Sequence, residues 1–152
     1  MYLYTRRLLL TSEAGADWAT RICEAGTKVG GVDDGLLQVV SGEPEPGADN
    51  QYVTGVAAVC AGGNIERAMT AGVELAEAAT KVTGRPTMFV RSVTGPYGGV
   101  GWLTGHGTIA DVEAGQDAMA ADPGWLKLVD STGGAFVEDA SITVSTLYRK
   151  IA

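Results

Sequence analysis

One stretch of the sequence, residues 100–106, places an aromatic ring and an imidazole where both could act on one ligand. Its alternating pattern predicts a β-strand, and side chains two residues apart on a strand point to the same face. One face therefore carries Val100, Trp102, Thr104 and His106. Trp102 could stack on a planar ligand, and His106 could serve as the catalytic general base or as an axial haem ligand. The alternative is structural, with Trp102 in the core and His106 at the rim, since the sequence shows no carboxylate partner for the histidine.

Arg91 is a further candidate binding residue. It alternates with Phe89 and Val93 in a strand pattern, so the three side chains share a face. A guanidinium among apolar side chains needs a carboxylate or an anionic ligand, because an unpaired buried charge is costly. A salt bridge within the chain or between subunits is the structural alternative. We therefore expect Phe89 and Arg91 to bind substrate together with Trp102.

The glycines around residues 100–106 resemble a nucleotide-binding loop, but their context does not fit one. Gly105, Gly107 and Ala110 match GxGxxA between a strand and a helix. A dinucleotide site needs an acidic residue at the end of the next strand about 20 residues later, where this sequence has a helix interrupted by Pro123. The glycines are better explained by close approach, because a strand face with little side-chain volume admits a helix or a flat ligand.

The elements that must position these residues follow the order of three successive βαβ units. Strand patterns cover residues 2–10, 36–41, 52–59, 87–94, 100–106 and 142–149. Helix patterns cover residues 14–29, 65–82 and 109–129, the last broken at Pro123. Gly30 and Gly31 are expected to end the first helix, and Gly84 the second. Thr108 and Asp111 resemble a capping box that opens the third.

The first two units share a sequence pattern. Residues 24–31 resemble residues 77–84, and the same register pairs Leu36 with Phe89. We interpret residues 1–50 as half of a second copy, with chance similarity between two Ala-rich helices as the alternative. The periodicity of the second helix predicts a buried stripe formed by Ile65, Met69, Val73, Ala76 and Val82.

Composition excludes several classes of function. The chain has 152 residues, 45% of them hydrophobic, with a formal net charge of −7 and a pI near 4.6. This length fits one domain or two fused small modules, and the negative charge repels a nucleic-acid backbone. The first residues lack the features of a signal peptide, and no apolar run approaches the roughly 20 residues that span a bilayer. We therefore expect a cytoplasmic protein without nucleic-acid binding or membrane insertion.

The sequence also lacks the residues that metal binding and a disulfide scaffold require. Cys23 and Cys60 are the only cysteines, and His106 is the only histidine. Two cysteines far apart in the sequence suggest neither a disulfide scaffold nor a zinc site. No metal is therefore expected, and haem, held through His106, is the one cofactor that this interpretation allows.

Residues 52–151 resemble the dimeric α+β barrel superfamily, which has ferredoxin-like βαββαβ topology and includes the antibiotic biosynthesis monooxygenases. The resemblance rests on a strand ending near Ser92, a glycine turn, the strand with Trp102, residues 110–116 leading into 121–125, and residues 141–151. It implies an α+β fold whose antiparallel sheet has helices on one face and pairs through the other, usually with a partner subunit. The chain would then be a ferredoxin-like module, residues 51–152, with an extra N-terminal βαβ unit, residues 1–50. It would form a homo-oligomer through its sheet.

The resemblance also implies a range of functions. The superfamily includes cofactor-independent monooxygenases of polyketide-like aromatics, haem-degrading enzymes and muconolactone isomerase-like enzymes, and no catalytic set is common to all. We expect a small-molecule enzyme or binding protein with a hydrophobic pocket, and cofactor-independent oxygenation of an aromatic substrate as its chemistry. A non-catalytic oligomeric assembly or partner-binding subunit is the second hypothesis. A haem-binding or haem-degrading protein, which depends on His106 alone, is the third.

Overall fold

Six strands form a single sheet in which every neighbouring pair is antiparallel. The computed structural model describes residues 2–10, 29–43, 49–139 and 141–149. The strands are β1 (Tyr2–Leu10), β2 (Val29–Ser41), β3 (Tyr52–Val59), β4 (Thr87–Ser92), β5 (Gly99–His106) and β6 (Val144–Arg149). The helices are α1 (Ile65–Thr83), α2 (Ile109–Ala121) and α3 (Pro123–Ser131). The strand order is β1-β2-β4-β5-β3-β6.

The part of the chain from β3 to β6 has the ferredoxin-like arrangement. Strands β3 and β4 flank α1 in the sequence, but β5 lies between them in the sheet and pairs antiparallel with both. Strand β6 pairs with the other edge of β3. This βαββαβ topology confirms the predicted α+β fold class, with α3 as an additional helix before β6.

The N-terminal strands extend this sheet beyond β4, and they pair differently from the strands on either side of α1. Strand β2 pairs with β4, and β1 pairs directly with β2. In the C-terminal unit the strands on either side of α1 are not neighbours, so the expectation of a second half-copy disagrees with this pairing. The predicted first helix falls mainly on residues outside the described ones. Its last residue, Val29, begins β2, and Gly30 and Gly31 lie within that strand and do not end a helix.

Helix α1 ends where the sequence predicts, and its buried face matches the predicted stripe only in part: Ala76 is buried as expected. Gly84 has φ 69°, in the left-handed region that glycine adopts without strain, and its N–H donates to the Thr80 carbonyl at 2.9 Å. Ile65, expected in the buried stripe, is 43% exposed, while Met69 and Val73 are only partly buried against the core. The buried residues of α1 are Ala68, Ala71, Gly72, Leu75, Ala76 and Ala79. Small side chains form the contact face because the helix lies close to the sheet.

The break between α2 and α3 follows the prediction at Pro123. The Thr108 side chain accepts from the Asp111 N–H, and the Asp111 carboxylate accepts from the Thr108 N–H, which completes the predicted capping box. Asp122 then ends α2 and caps α3, because its carboxylate accepts from the Trp125 N–H at 2.7 Å. Proline at the first position of α3 loses no hydrogen bond there. Thr108 and Asp122 thus fix the residues at which α2 and α3 begin.

The two faces of the sheet have different coverings. The helices pack on the face that carries Phe89 and Trp102, where Phe89 is fully buried against Gly72. The opposite face has no helix among the described elements, and Leu37, Val53, Leu103 and Tyr148 line a shallow depression there. None of the described helices is long and apolar enough to cross a membrane.

Candidate active site

A cavity of about 330 Å³ lies between the sheet and the three helices. Strand β5 forms its floor with Trp102, Thr104 and His106, and β3 contributes Thr54. Apolar residues of the three helices cover it, among them Leu75, Val112, Met119, Trp125 and Val129. None of the described residues that line it is an aspartate, glutamate, lysine or arginine. Its volume suits a drug-sized ligand, and its uncharged apolar walls favour an uncharged one.

A row of hydroxyl groups crosses the floor of the cavity. Thr87 on β4 and Thr54 on β3 are both in register with Thr104 on β5, so the three side chains lie side by side on one face. The Thr87 and Thr104 hydroxyl oxygens are 2.8 Å apart. The Thr54 hydroxyl lies 3.5 Å from the Thr104 carbonyl and 2.9 Å from His106 Nε2. The row gives an otherwise apolar cavity one polar edge that ends at the imidazole.

Thr54 occupies one of the two ring nitrogens of His106. Its hydroxyl oxygen lies 2.9 Å from Nε2, and which of the two groups donates follows from the tautomer of the imidazole. Nδ1 is buried and has no hydrogen-bond partner among the described residues. A buried ring nitrogen without a partner can act as a general base toward a substrate when it carries the lone pair.

The surroundings of His106 keep its imidazole neutral. The residue is 4% exposed, and burial is the main cause that lowers the pKa of His106 from its ordinary value of 6.5. The Arg85 guanidinium lowers this pKa further, while the charge and backbone of Asp111 partly offset the effect. A neutral imidazole at pH 7 can accept a proton, so its protonation state agrees with the role of base.

Arg85 and Asp111 form an ion pair beside the cavity. Their closest atoms, Arg85 Nη2 and Asp111 Oδ1, are 2.8 Å apart, and about a third of each side chain is exposed. The hydrogen bonds from Thr108, followed by the Arg85 charge, hold the pKa of Asp111 below its ordinary value. The sequence did not reveal Asp111 as a carboxylate near His106. Its charge acts on the imidazole, while its side chain is bonded to the Thr108 N–H and to Arg85.

Trp102 is held rigidly in the wall of the cavity. Its Nε1–H donates to the Gly72 carbonyl at 2.8 Å. Its ring lies 5.4 Å, centroid to centroid, from both Phe89 and Phe136, tilted on the first and edge-on to the second. These three contacts fix the orientation of the indole, so it offers a pre-set apolar surface to a ligand.

The structure brings two of the four predicted site residues together. His106 and Trp102 both line the cavity. Phe89 lies behind Trp102, fully buried in the core, and does not line the cavity. The expectation of a buried Arg91 is wrong, because Arg91 is exposed and its Nε–H donates to Gln38 Oε1 at 2.6 Å. A strand added beyond β4 supplies this neutral partner, so the arginine needs neither a carboxylate nor a ligand.

Sequence reasoning missed the two threonines on the strands that flank Thr104. Thr104 was placed on the same face as His106, but Thr54 and Thr87 are 50 and 17 residues away from Thr104 in the sequence. The signal that could have found them is pairing: each lies inside a predicted strand at the position opposite Thr104. Correct strand order was therefore the missing information.

The described residues do not fit a haem. His106 Nε2 is already hydrogen-bonded to Thr54, so this nitrogen is not available to an iron ion. The cavity of about 330 Å³ is also at the small end of the range for drug-sized ligands. No chemical step is therefore assigned to iron.

Fold and cavity together define an α+β protein with a ferredoxin-like βαββαβ arrangement and an apolar cavity between its sheet and helices. The structure is similar to a NIPSNAP family protein from Agrobacterium tumefaciens, with a TM-score of 0.56 and 14% identity over 73% of this chain and 95% of that one. It is also similar to a candidate monooxygenase from Fusobacterium nucleatum, with a TM-score of 0.55 and 8% identity over 90% of this chain and 58% of that one.

A third similar structure matches nearly the full length of both chains. It is a major regulator of staphylococcal pathogenesis, with a TM-score of 0.62 and 7% identity over 99% of this chain and 100% of that one. At such identities the likeness concerns the fold, and at that level it confirms the predicted resemblance. No protein-family model and no curated protein matches the sequence.

Proposed function

We propose that the chain binds a small, uncharged, largely aromatic molecule in the cavity between sheet and helices, and that it oxygenates this molecule without a cofactor. The observation that carries the proposal is the buried Nδ1 of His106, without a partner among the described residues, in the wall of an uncharged apolar cavity. The likeness in fold to a candidate monooxygenase also supports the oxygenase proposal.

In the proposed reaction the substrate supplies all the electrons. His106 removes a proton from a CH₂ group activated by a neighbouring aromatic carbonyl, and the resulting carbanion reduces O₂ as the C–O bond forms. The peroxide then loses water, so CH₂ becomes C=O, one oxygen atom is retained, and the other leaves with both hydrogens. The threonine row would hold the carbonyl oxygen, whose negative charge grows as the proton leaves. The apolar walls would exclude water from the carbanion.

Oxygen uptake with an anthrone as probe tests this reaction. We expect the wild-type protein to consume O₂ and His106→Gln to lose roughly 10²-fold to 10⁴-fold in rate, the usual range for a general base. Arg91→Ala is the matched control, since Arg91 is exposed and outside the cavity. Equal rates for His106→Gln and wild type would contradict the oxygenase proposal. Quenching of tryptophan fluorescence without oxygen uptake would leave a binding protein as the function.

A second candidate function, assembly of copies through the sheet, is favoured by the sheet face on which none of the described helices packs. Tyr148 is 41% exposed and Val144 39% exposed, and both line the depression on that face with Leu103. An apolar sheet surface of this kind marks an interface in a soluble protein. We expect Tyr148→Lys to lower the mass measured by light scattering. Leu147→Lys, on the opposite face of β6, is the matched control and should leave the mass unchanged. Assembly through this face is excluded if Tyr148→Lys also leaves it unchanged.

A further inference from the structure

Helix α2 carries a glycine, Gly115, whose presence the packing does not explain. It is one of the two buried residues of α2 and lines the cavity. A Cβ built at this position would lie 3.7 Å from Thr83 Cγ2 and 3.9 Å from His106 Cε1, which are ordinary van der Waals distances. Its backbone is not in the left-handed region, since the positive-φ glycines are elsewhere. Neither space nor conformation therefore requires glycine here.

The other glycine buried in a described helix shows the contrast. At Gly72 in α1, a Cβ would lie 2.1 Å from Phe89 Cζ, so packing requires glycine there. Glycine in a helix interior is less favourable than alanine. Gly115 thus weakens α2 without allowing a closer contact. What it does leave is free space directly beside the edge of His106 that carries Cε1.

We infer that Gly115 is a specificity-determining residue, which keeps open the passage by which a flat ligand reaches His106. The buried Nδ1 of His106, without a partner among the described residues, is the second observation that points to this passage, because a buried polar atom is ordinarily hydrogen-bonded and a ligand would supply the missing partner. A methyl group at position 115 would meet no steric clash, and it would contact the imidazole at Cε1. The inference deepens the proposed function and depends on it for the nature of the ligand.

The variant Gly115→Ala separates stability from access. Acylation of the imidazole by diethylpyrocarbonate reports access, and His106 is the only histidine in the chain, so the signal comes from one site. We expect the rate of acylation and the affinity for an anthrone to fall roughly 10-fold to 200-fold, the effect of one methyl-sized group in an apolar pocket. We expect the Tm to rise by roughly 2–4 °C because alanine is the better helix residue.

A matched control lies two residues further along α2, on its solvent side. Asp117→Ala, on an exposed position of α2, should leave both the acylation rate and the affinity at wild-type values. The inference is overturned if Gly115→Ala is acylated at the wild-type rate, or if its Tm falls, which would mean that packing requires the glycine. An unreactive wild-type His106 overturns it as well. Slower acylation of Gly115→Ala together with no anthrone binding by any form would support the passage and reject the proposed function.

Discussion

Replacing Gly72 by alanine should destabilise the fold, although alanine is ordinarily the better helix residue. The new Cβ would lie 2.1, 2.4 and 2.7 Å from three atoms at the tip of the Phe89 ring. Phe89 is fully buried, and the Trp102 ring at 5.4 Å hinders its rotation away from the helix. Helix α1 must therefore move outward, which also strains the bond from Trp102 Nε1 to the Gly72 carbonyl.

The size of the effect follows from three contributions. Overpacking a core costs about 1–3 kcal/mol. Weakening one buried hydrogen bond costs about 1 kcal/mol, and the helix propensity of alanine returns about 1 kcal/mol. We therefore expect the free energy of unfolding to fall by about 1–3 kcal/mol for Gly72→Ala.

Guanidinium-induced unfolding followed by circular dichroism measures this change. Phe89→Leu replaces the ring that causes the clash with a shorter side chain. Gly72→Ala should therefore lower the free energy of unfolding less in the Phe89→Leu background than in the wild-type protein. The reasoning is refuted if Gly72→Ala is as stable as the wild-type protein, or if its effect is the same in both backgrounds.

Three further predictions concern the cavity floor and the start of α2. Burial lowers the pKa of His106, so below pH 6.5 the unfolded chain binds more protons than the folded one, and the free energy of unfolding should fall as the pH drops through that value. Unfolding curves measured from pH 5 to pH 8 should show that His106→Gln removes this pH dependence of the free energy of unfolding. An unchanged pH dependence in the variant would assign it to other groups. Thr87→Val should lower the free energy of unfolding by about 1 kcal/mol, because it leaves the Thr104 hydroxyl without its partner. In a double-mutant cycle with Thr104→Val the two effects on this free energy should be coupled, and additive effects would contradict the hydrogen bond. Thr108→Ala should lower the free energy of unfolding by about 1 kcal/mol through loss of the cap of α2, whereas Thr108→Ser should keep most of the stability that the cap provides. Equal thermal stability of the two variants would argue against the cap.

The sequence was informative wherever a local pattern decides the structure. The alternation over residues 100–106 correctly placed Trp102 and His106 on one face. Helix ends at Gly84 and Pro123 and the capping box at Thr108 also followed from local chemistry, since each depends on residues three or four positions apart. The fold class was accessible because the order of these elements, together with the resemblance, limits the topology to few arrangements.

The parts that failed depend on contacts distant in the sequence. Periodicity gives a helix stripe, but it did not indicate that the close approach of α1 to the sheet favours the face with Ala68 and Gly72 over the one with Ile65. Arg91 was expected to be buried because the sequence does not show that β2 brings Gln38 next to it. The threonine row was missed for the same reason, because strand order is a tertiary property.

The strand order has a consequence for how the chain folds. Strand β3, next to the edge of the sheet, pairs with β5 on one side and with β6, at the far end of the described chain, on the other. Neither neighbour of β3 is adjacent to it in the sequence, so the chain must close long loops before β3 gains any strand-to-strand hydrogen bond. High contact order of this kind places folding in the range of milliseconds to seconds. Until β5 and β6 arrive, β3 has two open edges, and this period is when association with other chains competes most strongly with folding.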